Sequence, residues 1–165
     1  DGKPRKVAAE KLTAKSGKTV LNFNYVEEAV RAWSAEEPNL YKLVLCLKSG
    51  RKVLSVKCIK IGFRKIEIKG NVLHMNGKRV IIKGVNRHDF DPDNGWAVPR
   101  QRYYADLTLM KQANINSIRT SHYPNDPRFP ALCDKYGIFL CDEADLECHG
   151  AAPVISEKHI FTDIK

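Results

Sequence analysis

The sequence predicts a mixed fold in which a β-rich first part is followed by alternating strands and helices. Up to about residue 68, short runs of β-forming residues are separated by turn signals. From about residue 79, three short apolar runs alternate with two segments that have helical spacing. Short strands joined by turns are typical of a sandwich, whereas strands and helices that alternate at this pace are typical of βα units with a parallel sheet.

Four runs in the first part are rich in β-forming residues or alternate apolar with polar residues. They cover residues 6–14, 19–26, 40–47 and 53–61, and turn signals lie at 16–18, 37–39 and 49–50. Trp33 lies in the loop before the third run and is predicted to be a packing anchor. Four strands are few for a closed sandwich, so we expect the chain to be a piece of a longer protein.

A β-hairpin is predicted between the two parts. Residues 66–68 and 72–75 form its strands, and the next turn is the pair Asn76-Gly77. Both residue types tolerate positive φ, which tight two-residue turns require. His74 is predicted to lie on the surface of its strand.

The second part begins with a strand at 80–85 and a helix at 99–113. Pro99 suits the first turn of that helix, because a proline there sacrifices no intrahelical hydrogen bond. The helical spacing predicts a buried face made of one tyrosine, two aliphatic side chains and an alanine: Tyr104, Leu107, Met110 and Ala113.

A second strand at 115–118 leads to a second helix and a third strand at 138–141. Asp126 is predicted to cap the helix with Pro127 at its first position, and Gly137 is predicted to end it in a left-handed conformation. Three strands with two helices do not close a barrel. The residues alone therefore fit either a small open α/β sheet or the opening of a larger barrel.

Composition narrows the class of protein. The 165 residues are 43% hydrophobic and 28% charged, and no apolar run approaches the roughly 20 residues of a membrane span. The net charge is +9, but the lysines are scattered along strands, without the clustered basic and aromatic residues that would indicate nucleic-acid binding. The five cysteines include no CxxC pair, and Cys46, Cys58, Cys133 and Cys141 lie in apolar runs. We expect these four to be buried, reduced thiols in a cytoplasmic protein.

Polar residues follow each of the three apolar strands of the second part. The first strand ends at Arg87 and His88, the second at Arg119 and His122, and the third in an acidic cluster at 142–149. Ligands bind at the carboxyl ends of parallel strands, so these ends are predicted to form one rim of a site. Arg87 and His88 fit either solvated charge or contacts to a sugar or phosphate. Arg119 fits either a structural ion pair or a group that orients a catalytic carboxylate.

The third strand end carries Asp142, Glu143, Asp145 and Glu147, followed by His149. Glu147 and His149 are two residues apart and would point the same way in an extended segment. A carboxylate with an imidazole fits half of a divalent-metal site, although a solvated acidic loop fits as well. Trp96, in the loop after the first strand, could stack on a sugar or pack in the core. Phosphate-loop, GxSxG and HExxH motifs do not occur.

Taken together, several stretches make the chain resemble glycoside hydrolase family 2, and the β-galactosidases within it. The resemblance covers roughly residues 33–152, with the motifs in the family's order. It is carried by Asn76-Gly77-Lys78-Arg79, Gly84-Val85-Asn86-Arg87-His88-Asp89, Arg119-Thr120-Ser121-His122-Tyr123-Pro124-Asn125, and Asp142-Glu143-Ala144-Asp145-Leu146-Glu147-Cys148-His149-Gly150.

The resemblance implies a partial immunoglobulin-like β-sandwich at 1–68, followed at 69–165 by the first βα units of a (β/α)8 TIM barrel. It implies that His88 and His122 bind the substrate, a β-galactoside, and that Arg119 positions the nucleophile. Glu147 and His149 would be ligands of a Mg²⁺ ion. The parent enzyme is expected to be a homo-oligomer, with neither a membrane nor a nucleic acid as partner.

The resemblance assigns no catalytic residue to this chain. The family's acid/base and nucleophilic glutamates belong to later strands, beyond Lys165, so the isolated 165 residues are expected to be inactive. A retaining β-galactosidase is therefore expected of the longer protein. The alternative is a non-catalytic module that binds a sugar or a partner.

Overall fold

A computed structural model describes residues 6–13 and 16–145 of the chain. Backbone contacts divide the chain into two compact units, Asp1–Arg31 and Ala32–Lys165. In the described residues of the first unit no strand forms, so the strands predicted at 6–14 and 19–26 are wrong there. The physical reason is that no backbone ladder pairs with them, and apolar residues such as Val20 and Val26 stay 69% and 82% exposed.

The second unit begins with a long antiparallel hairpin. Strand β1 (Tyr41–Ser49) pairs with β2 (Lys52–Ile61), and Gly50 makes the turn with φ of 57°. The runs predicted at 40–47 and 53–61 are confirmed. Cys46 and Cys58 lie on this hairpin and are exposed, contrary to the prediction. A two-stranded ladder has two faces, and residues 44–60 of this hairpin are all exposed, so neither face is buried.

The predicted second hairpin is confirmed and extends to a third short strand. The sheet has the order β3 (Ile66–Lys69), β4 (Val72–Met75), β5 (Lys78–Arg79). Asn76 and Gly77 adopt φ of 50° and 79°, as the tight turn requires. The Asn76 side chain also accepts a hydrogen bond from the backbone N–H of Lys65 at 2.9 Å and donates one to the carbonyl of Trp33 at 3.0 Å.

A parallel three-stranded sheet forms the part of the unit that carries the polar strand ends. Its order is β6 (Gly84–Asn86), β7 (Ser117–Arg119), β8 (Phe139–Cys141), and both pairings are parallel. The first strand begins four residues later than predicted. The Asn116 side chain explains this, because it binds the backbone of Lys83 and of Ile81 and so replaces ladder hydrogen bonds.

Helix α1 (Arg100–Gln112) connects β6 to β7, and helix α2 (Arg128–Tyr136) connects β7 to β8. Pro127 already has helical backbone angles, and the Asp126 carboxylate accepts the N–H of Arg128 at 2.8 Å, so the predicted cap is confirmed. Gly137 ends α2 with φ of 71°. None of the helices formed by residues 6–13 and 16–145 is long and apolar enough to cross a membrane.

The core lies between the parallel sheet and the two helices. Its buried members come from both helices, from β7 and from the adjoining loops: Val98, Tyr103, Leu107, Ile118, Phe129, Cys133 and Ile138. On α1 the buried tyrosine is Tyr103 and not Tyr104, and Ala113 is exposed. Tyr103 turns inward because its hydroxyl donates to the Asp89 carboxylate at 3.1 Å.

Two further side chains fix the packing around α2. Trp33 is 2% exposed, donates from Nε1 to the carbonyl of Asp134 at 2.7 Å and meets the Phe139 ring edge-on at 5.7 Å. The predicted packing anchor is therefore confirmed. Burial raises the pKa of the Cys133 thiol to about 12, so this side chain remains protonated and packs as a small apolar group. Cys141, in contrast, is exposed.

Candidate functional site

The polar ends of the three parallel strands lie at one edge of the sheet, as predicted. Asn86 pairs with Arg119, and Arg119 pairs with Cys141, so the three strands end in register. Parallel strands place their carboxyl ends at a common edge, which is where α/β sheets bind ligands. The side chains that follow these three positions therefore share one rim.

An ion pair joins the second strand end to the third. Arg119 donates a hydrogen bond from Nε to Oε1 of Glu143. The other carboxylate oxygen of Glu143 lies 3.0 Å from Nδ1 of His122. The hydrogen bond from the Arg119 guanidinium lowers the pKa of Glu143, with a smaller contribution from His122. Glu143 is therefore a carboxylate that holds both an arginine and a histidine of the rim.

The tautomer of His122 follows from these contacts. Nδ1 lies 3.0 Å from the Glu143 carboxylate and 3.1 Å from Nη2 of Arg119. A guanidinium only donates and a carboxylate only accepts, so Nδ1 can satisfy one of them at a time. The bond to the carboxylate is charge-assisted and stronger, which places the proton on Nδ1.

A buried threonine fixes the backbone on which Glu143 lies. Thr120 is fully buried, and its hydroxyl accepts the backbone N–H of Glu143 at 2.9 Å. The same hydroxyl lies 3.2 Å from a carboxylate oxygen of Asp142, to which it donates. Thr120 directly follows Arg119 on β7, so a single strand end carries the arginine and also positions its carboxylate partner.

The two histidines that the resemblance assigns to substrate binding lie side by side. The ring centroids of His88 and His122 are 6.0 Å apart, with the ring planes at 83°. His88 is exposed and His122 is half-buried. Tyr123 lies next to His88: its hydroxyl accepts the backbone N–H of Asp89 at 3.0 Å and is 3.5 Å from Nδ1 of His88. The structure thus brings together groups from the first two strand ends.

Arg87 does not belong to the exposed rim. It is 6% exposed and donates to Asp106 at 3.0 Å, to Asp89 at 2.9 Å and to Asn125 at 3.0 Å. Its guanidinium also lies over the Phe129 ring at 4.7 Å. The alternative of a solvated charge is therefore wrong for Arg87. Its role is to tie the first strand end to α1 and to the loop before α2.

A tight turn presents Trp96 beside the rim. Asp91 is 2% exposed, and its carboxylate accepts the backbone N–H groups of Asp93 at 3.1 Å and Asn94 at 3.0 Å. A hydrogen bond from the Asn94 side chain is the largest cause of the lowered pKa of Asp91. Trp96 itself is 70% exposed, so the alternative of core packing is wrong.

The predicted metal ligands Glu147 and His149 lie outside the described residues. Among residues 6–13 and 16–145, no three histidine, cysteine, aspartate or glutamate side chains are grouped closely enough to hold a metal ion. The proposed Mg²⁺ site therefore stays a prediction. So does the boundary between residues 68 and 69.

Sequence reasoning missed the partners of the arginines. The sequence places Glu143 in the acidic cluster and indicates no role for Asp89 or Asp106. One signal was available, because Asp106 lies two turns before the end of α1 on the side of Tyr103 and Leu107. The pairing of Arg119 with Glu143 depends on strand register, which the sequence does not specify by itself.

A parallel βα sheet with imidazoles, an arginine and a carboxylate at its carboxyl edge has the arrangement of the ligand-binding edge in α/β proteins, TIM barrels among them. Comparison with known proteins identifies the family. The model described as "Glycosyl hydrolases family 2, TIM barrel domain" matches residues 66–163, and the model "Glycosyl hydrolases family 2" matches residues 1–64. The chain therefore belongs to glycosyl hydrolase family 2, with a sandwich-type domain followed by the start of a TIM barrel.

Individual relatives agree with this assignment. The chain is 45% identical over 130 residues to a β-galactosidase of Lactobacillus delbrueckii subsp. bulgaricus, which covers 79% of the chain and 13% of that protein. It is similar to the structure of a β-galacturonidase from Eisenbergiella tayi, with a TM-score of 0.68 and 37% identity over 73% of the chain and 22% of that structure. It is also similar to the structure of a β-glucuronidase from Ruminococcus gnavus, with a TM-score of 0.66 and 30% identity, and the match covers 70% of the chain and 20% of that structure. The chain thus spans about an eighth of the length of the β-galactosidase.

Proposed function

We propose that this chain is part of a retaining β-galactosidase, which hydrolyses terminal non-reducing β-D-galactose residues. The observation that carries the proposal is the pairing of His88 and His122, with centroids 6.0 Å apart, beside the Arg119–Glu143 ion pair. Two imidazoles at one rim suit a ligand rich in hydroxyl groups, because each ring nitrogen can donate or accept. The identity to β-galactosidases supports galactose over the uronic acids named for two similar structures.

In this proposal the histidines bind and orient the galactose. His122, whose Nδ1 lies 3.0 Å from the Glu143 carboxylate, contacts a hydroxyl group of the sugar. His88 is exposed beside it and contacts the same ring. Orientation of a bound substrate contributes much to catalysis, because the translational and rotational entropy of bringing the reacting groups together is lost on binding and not in the chemical step. Neither histidine is assigned acid/base or nucleophilic chemistry.

Arg119 is proposed to position the nucleophilic carboxylate of the longer enzyme. A guanidinium has five N–H donors, so the bonds to Glu143 leave capacity for a second carboxylate. A retaining mechanism needs an acid/base carboxyl and a nucleophilic carboxylate about 5–5.5 Å apart. We propose that residues outside this chain supply both and that the 165 residues alone do not hydrolyse galactosides.

We further propose that Glu147 and His149 bind Mg²⁺. A hard divalent cation accepts carboxylate oxygen readily and an imidazole nitrogen less commonly, so both contacts need direct testing. When bound, the ion would supply positive charge that orders carboxylates of the site. Calorimetric titration of the full-length protein with Mg²⁺ should show binding that Glu147→Gln weakens at least tenfold. Unchanged affinity would contradict the assignment.

The remaining proposals concern the whole protein. The exposed free thiols of Cys46, Cys58 and Cys141 support a reducing, cytoplasmic location, where such thiols are stable. A homo-oligomeric parent enzyme rests on the resemblance alone. Sedimentation of the full-length protein tests the oligomer, and fractionation of cells tests the location.

Substitution of the histidines tests the proposed function. In the full-length enzyme, His88→Ala and His122→Ala should each lower kcat/KM for a β-galactoside at least 100-fold, because hydrogen bonds to the reacting sugar are lost in the transition state. His74→Ala is the matched control, since this histidine is half-buried on β4 and bonds the carbonyl of Val72. Equal activity in all three variants would overturn the assignment of the rim.

A further inference from the structure

Three aromatic side chains, two exposed and one half-buried, form a continuous surface next to the two rim histidines. We define the aromatic platform as Phe90, Trp96 and Tyr123. The Phe90 and Trp96 rings meet at 90° with centroids 6.0 Å apart, and the Trp96 and Tyr123 rings meet at 65° with centroids 5.2 Å apart. Trp96 is 70% exposed and Phe90 is 53% exposed. Single exposed apolar residues are ordinary, but a contiguous set beside a site indicates a binding surface.

The platform is continuous with the proposed galactose site. Tyr123 is its inner member, and its ring centroid lies 6.1 Å from that of His88. His88 in turn neighbours His122. The rim therefore changes character along its length, from imidazoles that suit hydroxyl groups to ring faces and edges that suit the C–H groups of a sugar. Each distance between neighbouring ring centroids is comparable to the width of one pyranose ring.

The backbone holds the platform in place without a ligand. The Asp91 carboxylate fixes the turn before Trp96 through hydrogen bonds from Asn94 and from the Arg102 side chain at 3.1 Å. Gly95, with φ of 61°, completes this turn. The Tyr123 hydroxyl is fixed by the Asp89 N–H. A prepared surface loses less conformational entropy on binding, so its exposed aromatic area is available for a ligand.

We propose that the aromatic platform binds the leaving-group sugar of a disaccharide β-galactoside, and that Trp96 is a specificity-determining residue. The inference rests on the proposed function, because the position of the galactose defines which neighbour is the leaving group. Stacking of a pyranose on an indole requires no hydrogen-bond geometry. The platform therefore favours a sugar leaving group over a small alkyl group without selecting one particular sugar.

A comparison of two substrates in the full-length enzyme tests the platform. Trp96→Ala should lower kcat/KM for lactose about tenfold, the order of one aromatic contact, and change kcat/KM for methyl β-D-galactoside less than twofold. Trp96→Phe retains an aromatic face and should stay within about threefold of the wild type on lactose. Phe23→Ala, at an aromatic residue that is 46% exposed in the first unit, is the control and should change neither substrate.

The results separate the platform from the proposed function. Equal losses on both substrates after Trp96→Ala, or no loss on either, would overturn the platform. Failure of the wild-type enzyme to hydrolyse methyl β-D-galactoside would overturn the proposed function instead. A readout without turnover completes the test: with 5-fluorotryptophan incorporated, a thio-linked analogue of lactose, which resists hydrolysis, should shift the ¹⁹F resonance that Trp96→Phe removes. An unshifted resonance at a saturating concentration of this analogue would also overturn the platform.

Discussion

Loss of the buried Arg87 guanidinium should destabilise the helices that support the rim. Arg87 donates to Asp89, Asp106 and Asn125, all within 3.0 Å, and is 6% exposed. Arg87→Ala leaves the two carboxylates without this partner in a poorly solvated place. Breaking a buried ion pair in this way typically costs about 3–5 kcal/mol.

The structure determines where in that range the cost should lie. The Asp89 side chain is 13% exposed, so it gains little water after the substitution, whereas the Asp106 side chain is 27% exposed and gains more. Arg87→Ala also removes the contacts that the guanidinium makes with the Tyr103 and Phe129 rings, at 5.1 and 4.7 Å from the ring centroids. Such contacts contribute about 0.5–2 kcal/mol. Because Asp106 can regain water, the ion pairs should contribute about 3 kcal/mol, the lower end of their range, and the ring contacts about 1 kcal/mol, so we expect a total of about 4 kcal/mol.

Hydrogen exchange followed by mass spectrometry in the full-length protein measures this local stability. Amide hydrogens in peptides from α1 and α2 should exchange about 1,000-fold faster in Arg87→Ala. Each tenfold increase in exchange rate corresponds to a loss of about 1.4 kcal/mol of local stability. Arg87→Lys keeps the charge but not the fork of donors, so we expect an increase of roughly 30-fold. Arg100→Ala is the control, because Arg100 bonds Tyr104 on the exposed side of α1.

The reasoning would be refuted by exchange in Arg87→Ala that stays within about fivefold of the wild type. That result would mean that water or neighbouring side chains replace the guanidinium at little cost. A large effect of Arg100→Ala would also contradict the account, because it would show that charge on α1, and not the buried network, controls the stability of the helices.

Three further substitutions test other parts of the fold by denaturation monitored at the same helices. Gly137→Ala should cost more than 2 kcal/mol, because φ is 71° and a Cβ would lie 2.3 Å from a backbone oxygen. Gly70→Ala is the control and should cost only about 1 kcal/mol, because Gly70 has a φ of 58° but lies in open space. Equal costs for the two variants would contradict the clash. Thr120→Val should cost about 1–3 kcal/mol, because the N–H that its hydroxyl accepts loses its partner; a neutral result would exclude the role of this hydroxyl. Asp126→Asn should lose its effect as the pH falls from 5 to 2. The Arg128 side chain lowers the pKa of Asp126 from 3.8 to about 2, so the stabilisation by the carboxylate is present above the unfolded pKa and disappears as the pH falls through the folded one. A difference in melting temperature that persists at pH 2 would contradict this.

The sequence predicted the βα part better than the first part. Helix ends depend on local signals, and the Asp126-Pro127 start and the Gly137 end are where those signals place them. Asn76-Gly77 is local in the same sense. The strands at 6–14 and 19–26 failed because a strand exists only with a partner, and alternation of residues does not identify one.

The residues of the site also differ in whether local signals or distant partners determine their placement. His88 and His122 were predicted as neighbours because each follows a parallel strand, and topology brings such ends together. The partners of Arg87 and Arg119 were not predicted, because they depend on register and on the depth of each side chain. Arg87 and His88 are adjacent in sequence, yet one is buried among carboxylates and the other is exposed. Successive side chains in an extended segment point to opposite sides, which explains this difference. The sequence alone does not say which of the two sides faces the core.

Hydrolysis of a panel of glycosides by the full-length protein tests the central claim most directly. The account predicts that β-D-galactosides are hydrolysed with a kcat/KM at least 100-fold above those of β-D-glucuronides and β-D-galacturonides. It also predicts that NMR detects β-galactose as the first product, as a retaining mechanism requires. Preferential hydrolysis of either uronide, or α-galactose as the first product, would contradict it.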